Sequence, residues 1–348
     1  MSVKGNPKDS MKYTWPTWPR EQWNYHHKIL HFLDIYPVDP NKEVPVHSKE
    51  DKIPYWTEWS VHLWILFHGA VPLVLHQLYT YCTGRIMGPT AAFNLYFMAF
   101  NIIVIHEARL LRRLGHKYGF LDGDQHERDG IPDVGVAKIA KSLYKTTGSR
   151  LILAAYLTYK PGELPTDMNW KWLFVEIGLY GVVLDFWFYW YHRLMHDVGG
   201  LWKYHRTHHL TKHPNALLAA YADHEQEFFD MVGVPLMTYF TLKFIGLPLG
   251  FYDWWICHQY VAFTEVMGHS GLRVYGTAAS TFTPLLQYLD MEIIIEDHDL
   301  HHRKGYRKSH NYGKQSRVWD RIFGTCHERI ESSRDNIDYE QPVNFPLI

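Results

Sequence analysis

The apolar residues fall in four stretches, at residues 61–81, 92–111, 172–191 and 232–250. Each is about 20 residues long, and at ~1.5 Å per residue such a helix spans ~30 Å, one hydrocarbon thickness. Residues 251–268 continue the last stretch as a candidate fifth membrane-embedded segment. His62, His68, His76, Asn101 and Asp185 interrupt the stretches, and Trp56, Trp59, Trp170, Trp172, Trp190, Tyr191, Trp254 and Trp255 decorate their ends. Amphipathic rings favour the membrane–water interface. Strand-type alternation is scarce. The pattern predicts an all-α integral membrane protein with about four transmembrane helices; its competitor is a soluble core of aromatic-rich helices. Arg109, Arg112, Arg113 and Lys117 follow the second stretch and place its end in the cytosol. The first two stretches then form a hairpin that starts and ends on the cytosolic side.

The rest of the chain divides around these stretches. Residues 1–60 are polar and rich in Trp and Pro, with no apolar core of a signal peptide. Residues 61–170 are expected to form the hairpin and a polar connector, whose turn signals include Gly119, Gly123, Gly130, Pro132, Pro161 and Pro165. A histidine-rich unit at 171–330 and a tail at 331–348 complete the division. Thirty-five basic against 36 acidic residues exclude a basic nucleic-acid binder as the default. Three cysteines cannot build a disulfide framework.

Histidine changes the picture: there are 24 in 348 residues. They are clustered. His192 and His196 form an HxxxH, His205, His208 and His209 an HxxHH, and His298, His301 and His302 a second HxxHH. Residues three and four apart share a helical face, so each box offers two or three imidazoles to one point. Eight imidazoles exceed what one four-coordinate ion uses, so two metals, or one metal with many supporting partners, fit. Imidazole suits Fe, Zn, Cu and Ni, and the shortage of carboxylates disfavours Ca²⁺ and Mg²⁺. Asp185 lies seven residues before His192, on the same face, and is expected to orient a ligand imidazole.

The three boxes resemble those of the fatty acid hydroxylase and sterol desaturase superfamily of membrane-bound non-haem di-iron oxygenases. Asn311-Tyr312-Gly313 and Trp319-Asp320-Arg321-Ile322-Phe323-Gly324-Thr325 are similar to that family's C-terminal motifs. The resemblance covers residues 170–327, and residues 1–60 match nothing in it. It implies two Fe ions in a helical cap on the cytosolic membrane surface, with both termini cytosolic, in the endoplasmic reticulum. It implies O2 as co-substrate and a lipid substrate entering from the bilayer. No His-Pro-Gly-Gly haem-domain signature occurs, so electrons from NAD(P)H are expected through a separate cytochrome or reductase donor. The resemblance adds His224 and His269 as ligands, with Glu265 either replacing a ligand or supporting one. Asn311 is read as a structural cap, with ligation through water as its alternative.

The implied reaction is hydroxylation or stepwise oxidation of an unactivated C–H. The segment Gly268-His269-Ser270-Gly271 is close to one in methyl-sterol-oxidase-like members and tilts the substrate towards a sterol or terpenoid. A fatty acyl hydroxylase or a lipid desaturase is the alternative within the superfamily. A histidine-rich electron carrier or metal transporter is the alternative outside it, but a transporter places ligands near mid-membrane, whereas these boxes lie in polar stretches. A metalloprotease is excluded because no H-E-x-x-H occurs. His62, His68, His76 and His106 are expected to line a cavity or to join helices.

Overall fold

The computed structural model describes residues 6–348. Its helices are α1 (Tyr25–Phe32), α2 (Glu58–Thr83), α3 (Pro89–Tyr118), α4 (Val136–Thr158), α5 (Trp170–Asp197), α6 (Trp202–His205), α7 (His224–Phe228), α8 (Val234–Phe244), α9 (Phe251–Gly268), α10 (Thr283–Tyr288), α11 (Ile295–Lys304) and α12 (Val318–Phe323). Two strands, β1 (Ile53–Trp56) and β2 (Ile337–Val343), pair in parallel and tie the C-terminal tail to the start of α2.

Helices α2, α3 and α5 are long and apolar enough to cross a membrane, at 26, 30 and 28 residues. Leu63, Phe67, Val74 and Leu78 form an exposed row along α2, and Ile102 is exposed on α3. An apolar helix face of this kind is stable against lipid and a liability in water. The fourth predicted stretch does not make a fourth span of this type. A π-turn at Phe229–Gly233 carries α7 into α8, which has 11 residues, about 16 Å, and ends before a loop through Gly246 and Pro248. Three spanning candidates therefore replace the expected four among the described residues.

Helix α9 is the central pillar. It packs against α2, α3, α4, α5 and α11, and every one of its residues except Glu265 is buried. A helix that is covered all round is a core element rather than a lipid-facing one. It ends at His269, so the pillar aims directly at the histidine boxes.

Two segments differ from their expected character. The connector at 113–170 contains the 23-residue α4, which packs on α3 and α9. The N-terminal segment is no loose appendage. Trp15, Trp23, Leu30 and Ile35 form a second core with Ile105, Ile139, Leu143, Leu217 and Tyr221. The Trp15 indole donates to the Ile131 carbonyl at 3.1 Å, and Asp133 accepts from the backbone N–H groups of Thr14 and Trp15. Arg206, inside the second box, donates twice to the Asp9 carboxylate at 2.7 Å.

Candidate metal centre

Each box sits on a helix or in the turn that follows one. His192 and His196 share one face at the end of α5. His205 closes α6, and His208 and His209 occupy the 3-10 turn that follows. His298, His301 and His302 lie on α11, and His269 caps α9. All nine are buried.

Their ring nitrogens gather in two groups. His192, His196, His205, His209 and His301 form one; His208, His269, His298 and His302 form the other. Within each group the nearest ring nitrogens lie within 4.8 Å of one another. The boxes do not map one to a group. Adjacent residues on a tight turn point apart, so His208 and His209 serve different groups, and α11 likewise sends His301 one way and His298 and His302 the other.

The proton positions make the case for cations. The Nδ1 atoms of His192, His196 and His301 face the carbonyl oxygens of Tyr312, Tyr306 and His310 at 2.8, 2.7 and 2.6 Å. Those of His208, His269 and His302 face the carbonyls of Tyr221, Glu265 and Thr211 at 3.3, 2.8 and 3.0 Å. A carbonyl only accepts, so each Nδ1 carries the proton and each Nε2 presents a lone pair. Yet His208 Nε2 and His269 Nε2, both assigned as lone-pair bearers, lie 3.3 Å apart. Nε2 of His196 and of His302 is buried with no partner at all. Lone pairs converging in a buried space repel unless a cation sits between them. The donor set, neutral imidazole held by backbone carbonyls, fits a transition metal in each group. Burial, helped by its neighbour His269, pushes His208 down to about 3, and burial with neighbouring imidazoles holds His209, His298, His301 and His302 well below their usual range. All are thus neutral and free to ligate at physiological pH.

The other expected site residues separate. His224 is not brought to either group: its side chain is 63% exposed and contacts Glu227 at 3.3 Å, because α7 turns it away from the boxes. Asp185 does not meet a histidine. It accepts from the backbone N–H groups of Lys314, Gln315 and Ser316 at 3.0, 3.0 and 2.5 Å and from the Ser316 hydroxyl at 2.9 Å. That fixes the turn after Tyr312, whose carbonyl holds His192, so Asp185 acts one step further out than expected. The Glu265 carboxylate pairs with Lys314 at 3.1 Å, while its backbone carbonyl orients His269. Asn311, at φ 50°, donates to the Asp297 carbonyl and accepts from the His327 N–H, each at 2.8 Å, which is a structural role. Asp320 accepts from the N–H groups of Tyr312 and Gly313 at 2.8 Å. A Cβ at Gly313 would stand 2.4 Å from the Ser316 carbonyl, so the turn needs glycine there. His62 and His76 bond Tyr260 and Tyr96 on neighbouring helices, which is their helix-joining role.

Sequence reasoning missed the carbonyl cradle and the buried cation Lys314. Backbone carbonyls leave no residue-type signal. Lys314 stands two residues past Tyr312 in a polar segment, where nothing in its spacing marks it as buried. Asp230 and Glu265 flank its ammonium, and although burial opposes the charge they carry its pKa up.

Two buried histidine groups, fed in part from the end of the membrane-length helix α5, define the class as a membrane-associated protein with two sites able to hold metal. The family model described as fatty acid hydroxylase matches residues 177–325. A fatty acid hydroxylase, vlmA, of a Lecanicillium species is 45% identical over 312 residues, covering 86% of this chain and 85% of that one. The methylsterol monooxygenase 2-2 of Arabidopsis thaliana is 30% identical over 201 residues, 55% of this chain and 69% of that one. The human alkylglycerol monooxygenase is 27% identical over 196 residues, 53% of this chain and 37% of its own length. No solved structure matches. The chain belongs to the fatty acid hydroxylase family, within the fatty acid hydroxylase and sterol desaturase superfamily of membrane lipid monooxygenases, and is an oxidoreductase.

Proposed function

We propose that this protein is a di-iron monooxygenase that hydroxylates an unactivated C–H on the acyl chain of a membrane lipid. The observation that carries the reading is the pair of buried histidine groups, one of five imidazoles and one of four. Iron bound there supplies O2 activation and hydrogen abstraction; the chain's own residues do the rest. The carbonyls of Tyr312, Tyr306, His310, Thr211, Tyr221 and Glu265 fix the tautomer and aim of six ligands. Burial excludes water that would quench a reactive site.

A cavity of about 690 Å³ between α3, α4 and α9 supports a lipid substrate. Its wall includes Phe100, Val104, Ile105, Leu143, Leu217 and Val266. It reaches Glu265, which also lines a smaller cavity with His269 and His298. The acyl reading is supported by the 45% identity to a relative named as a fatty acid hydroxylase. The sterol or terpenoid reading is the second one, favoured by the Gly268–Gly271 segment and by the 30% identity to a methylsterol monooxygenase. Electrons are proposed to come from NAD(P)H through a separate membrane donor. The endoplasmic reticulum is the proposed location, with boxes and termini cytosolic, on the basis of the basic residues that end α3.

The test is reconstitution of the purified protein with a reductase system and NADPH. We expect iron at about two per chain, substrate-dependent O2 consumption, and a product heavier by one oxygen atom. Haem absorbance, or metal transport without oxidation, would sink the proposal. Lipid profiling after gene deletion separates the acyl from the sterol reading by which compound accumulates.

A further inference from the structure

Arg150, on α4, lies in the wall of the 690 Å³ cavity and is only 4% exposed. A guanidinium carries five N–H donors and cannot be deprotonated, so its burial is costly unless acceptors meet it. Arg150 has almost none. One Nη2 contacts the Met231 thioether at 3.1 Å, and Nε has no partner. The neighbouring hydroxyls are committed: Thr146 and Thr147 donate to the carbonyls of Ser142 and Leu143. Asn101 turns its NH2 towards Phe97 and Thr147. The carboxylates of Asp230 and Glu265 are near enough to feel Arg150, but both ion-pair with Lys314 and neither reaches the guanidinium. Arg150 thus has neither an ion-pair partner of its own nor an oxygen acceptor.

The remaining wall is largely apolar, as in most lipid-binding sites. A planar, charged acceptor with an aliphatic tail satisfies both halves. Carboxylate is the group that guanidinium meets with two parallel hydrogen bonds. We propose that Arg150 binds the carboxylate of a free long-chain fatty acid whose tail fills this cavity. This deepens the lipid hydroxylase reading and rests on it for the chemistry that follows. It separates a free acid from a neutral acyl ester or a sterol, which offer no anionic head. Because Glu265 lines the cavity one helical turn before His269, an acid anchored at Arg150 holds a limited set of its carbons near the histidine groups.

The test uses the full chain, metal-loaded, in lipid nanodiscs without reductant, so that binding is read apart from turnover. Tryptophan fluorescence follows titration with palmitate, methyl palmitate and a single-chain lysophosphatidate. Palmitate should bind about 10- to 100-fold more tightly than its methyl ester, the range of a charged hydrogen bond lost. Arg150→Met should bring palmitate down to the ester's affinity and leave the ester unchanged, and Arg150→Lys should restore part of the difference. Metal content and thermal stability show that each variant is folded. Equal binding of acid and ester by the wild type overturns the proposal and needs no variant. So does an Arg150→Met protein that keeps palmitate affinity, or loses acid and ester alike. Tighter binding of lysophosphatidate than of palmitate overturns the carboxylate assignment. Adding NADPH and the donor then reads the other question: bound palmitate with no oxygenated product strikes the hydroxylase reading and leaves Arg150's role standing.

Discussion

Replacing Asp185 by Asn should loosen the metal centre without touching a ligand. Asp185 is fully buried and accepts three backbone N–H groups and one hydroxyl. The amide keeps one acceptor oxygen and turns an NH2 at donors, so roughly two of these bonds are lost. An orphaned buried donor costs about 1–3 kcal/mol, which gives about 2–4 kcal/mol for the pair after relaxation. At about 2.1 cal/mol/K per residue, the unfolding entropy of a chain this long is roughly 0.7 kcal/mol/K, so the midpoint should fall by about 3–6 °C. The turn that moves carries Tyr312, whose carbonyl orients His192. Losing an outer partner of a ligand typically costs about 10- to 100-fold in metal affinity or activity. The loss should fall on the five-histidine group first, because His192 belongs to it. Thermal unfolding and metal analysis of one detergent preparation read both effects. An Asp185→Asn protein with wild-type midpoint and full metal content would show that the carboxylate does not support the site.

His208→Ala and His301→Ala each remove one ligand, from different groups, so each should abolish turnover while roughly halving the bound metal, and the protein should still insert. His224→Ala should retain metal and turnover, measured side by side with them, since its side chain points outward. Trp15→Ala should destabilise by about 3–5 kcal/mol, the usual cost of emptying a buried aromatic site, and unfolding scans check it. Burial opposes ionisation of Asp122, but His213, Arg303 and Lys49 pull its pKa down to about 2. A depressed folded value means that its contribution is complete above the unfolded value near 4 and lost as pH falls through about 2. Asp122→Asn should therefore flatten the stability profile between pH 4 and 2, read by chemical denaturation.

The parts of the site that were legible were those written in residue type and short spacing. HxxxH and HxxHH state that imidazoles converge, because i, i+3 and i+4 share a helical face. What they leave open is which imidazole meets which. His205 was equally able to join His208 or His209, and the turn at His208–Leu210 decided for His209. His224 misled because a histidine next to acidic residues has the same composition whether it faces in or out. Asp185 misled for a related reason: its helical phase was right, but the partner was a loop from residues 314–316, and long-range backbone donors have no pattern to read. The spans were legible by length and apolarity, except at residues 232–250, where α8 stops at Phe244 and a loop takes the rest of a run that hydropathy alone joins.

The N-terminal segment shows how the two scales of the fold meet. The segment reads in sequence only as polar and rich in Trp and Pro, yet Trp15 and Trp23 build a core against α4 and residues 217–221. Tyr221 belongs to that core through its ring, while its carbonyl faces His208 Nδ1. Arg206, one residue after His205, is clamped by Asp9. The second box is therefore held from outside by residues 9–36 and from inside by α9 and α11. Six of the nine imidazoles turn Nε2 lone pairs inward, and these repel one another until cations arrive. The surrounding packing must impose the geometry, and a segment with no histidine in either group does a measurable share of that.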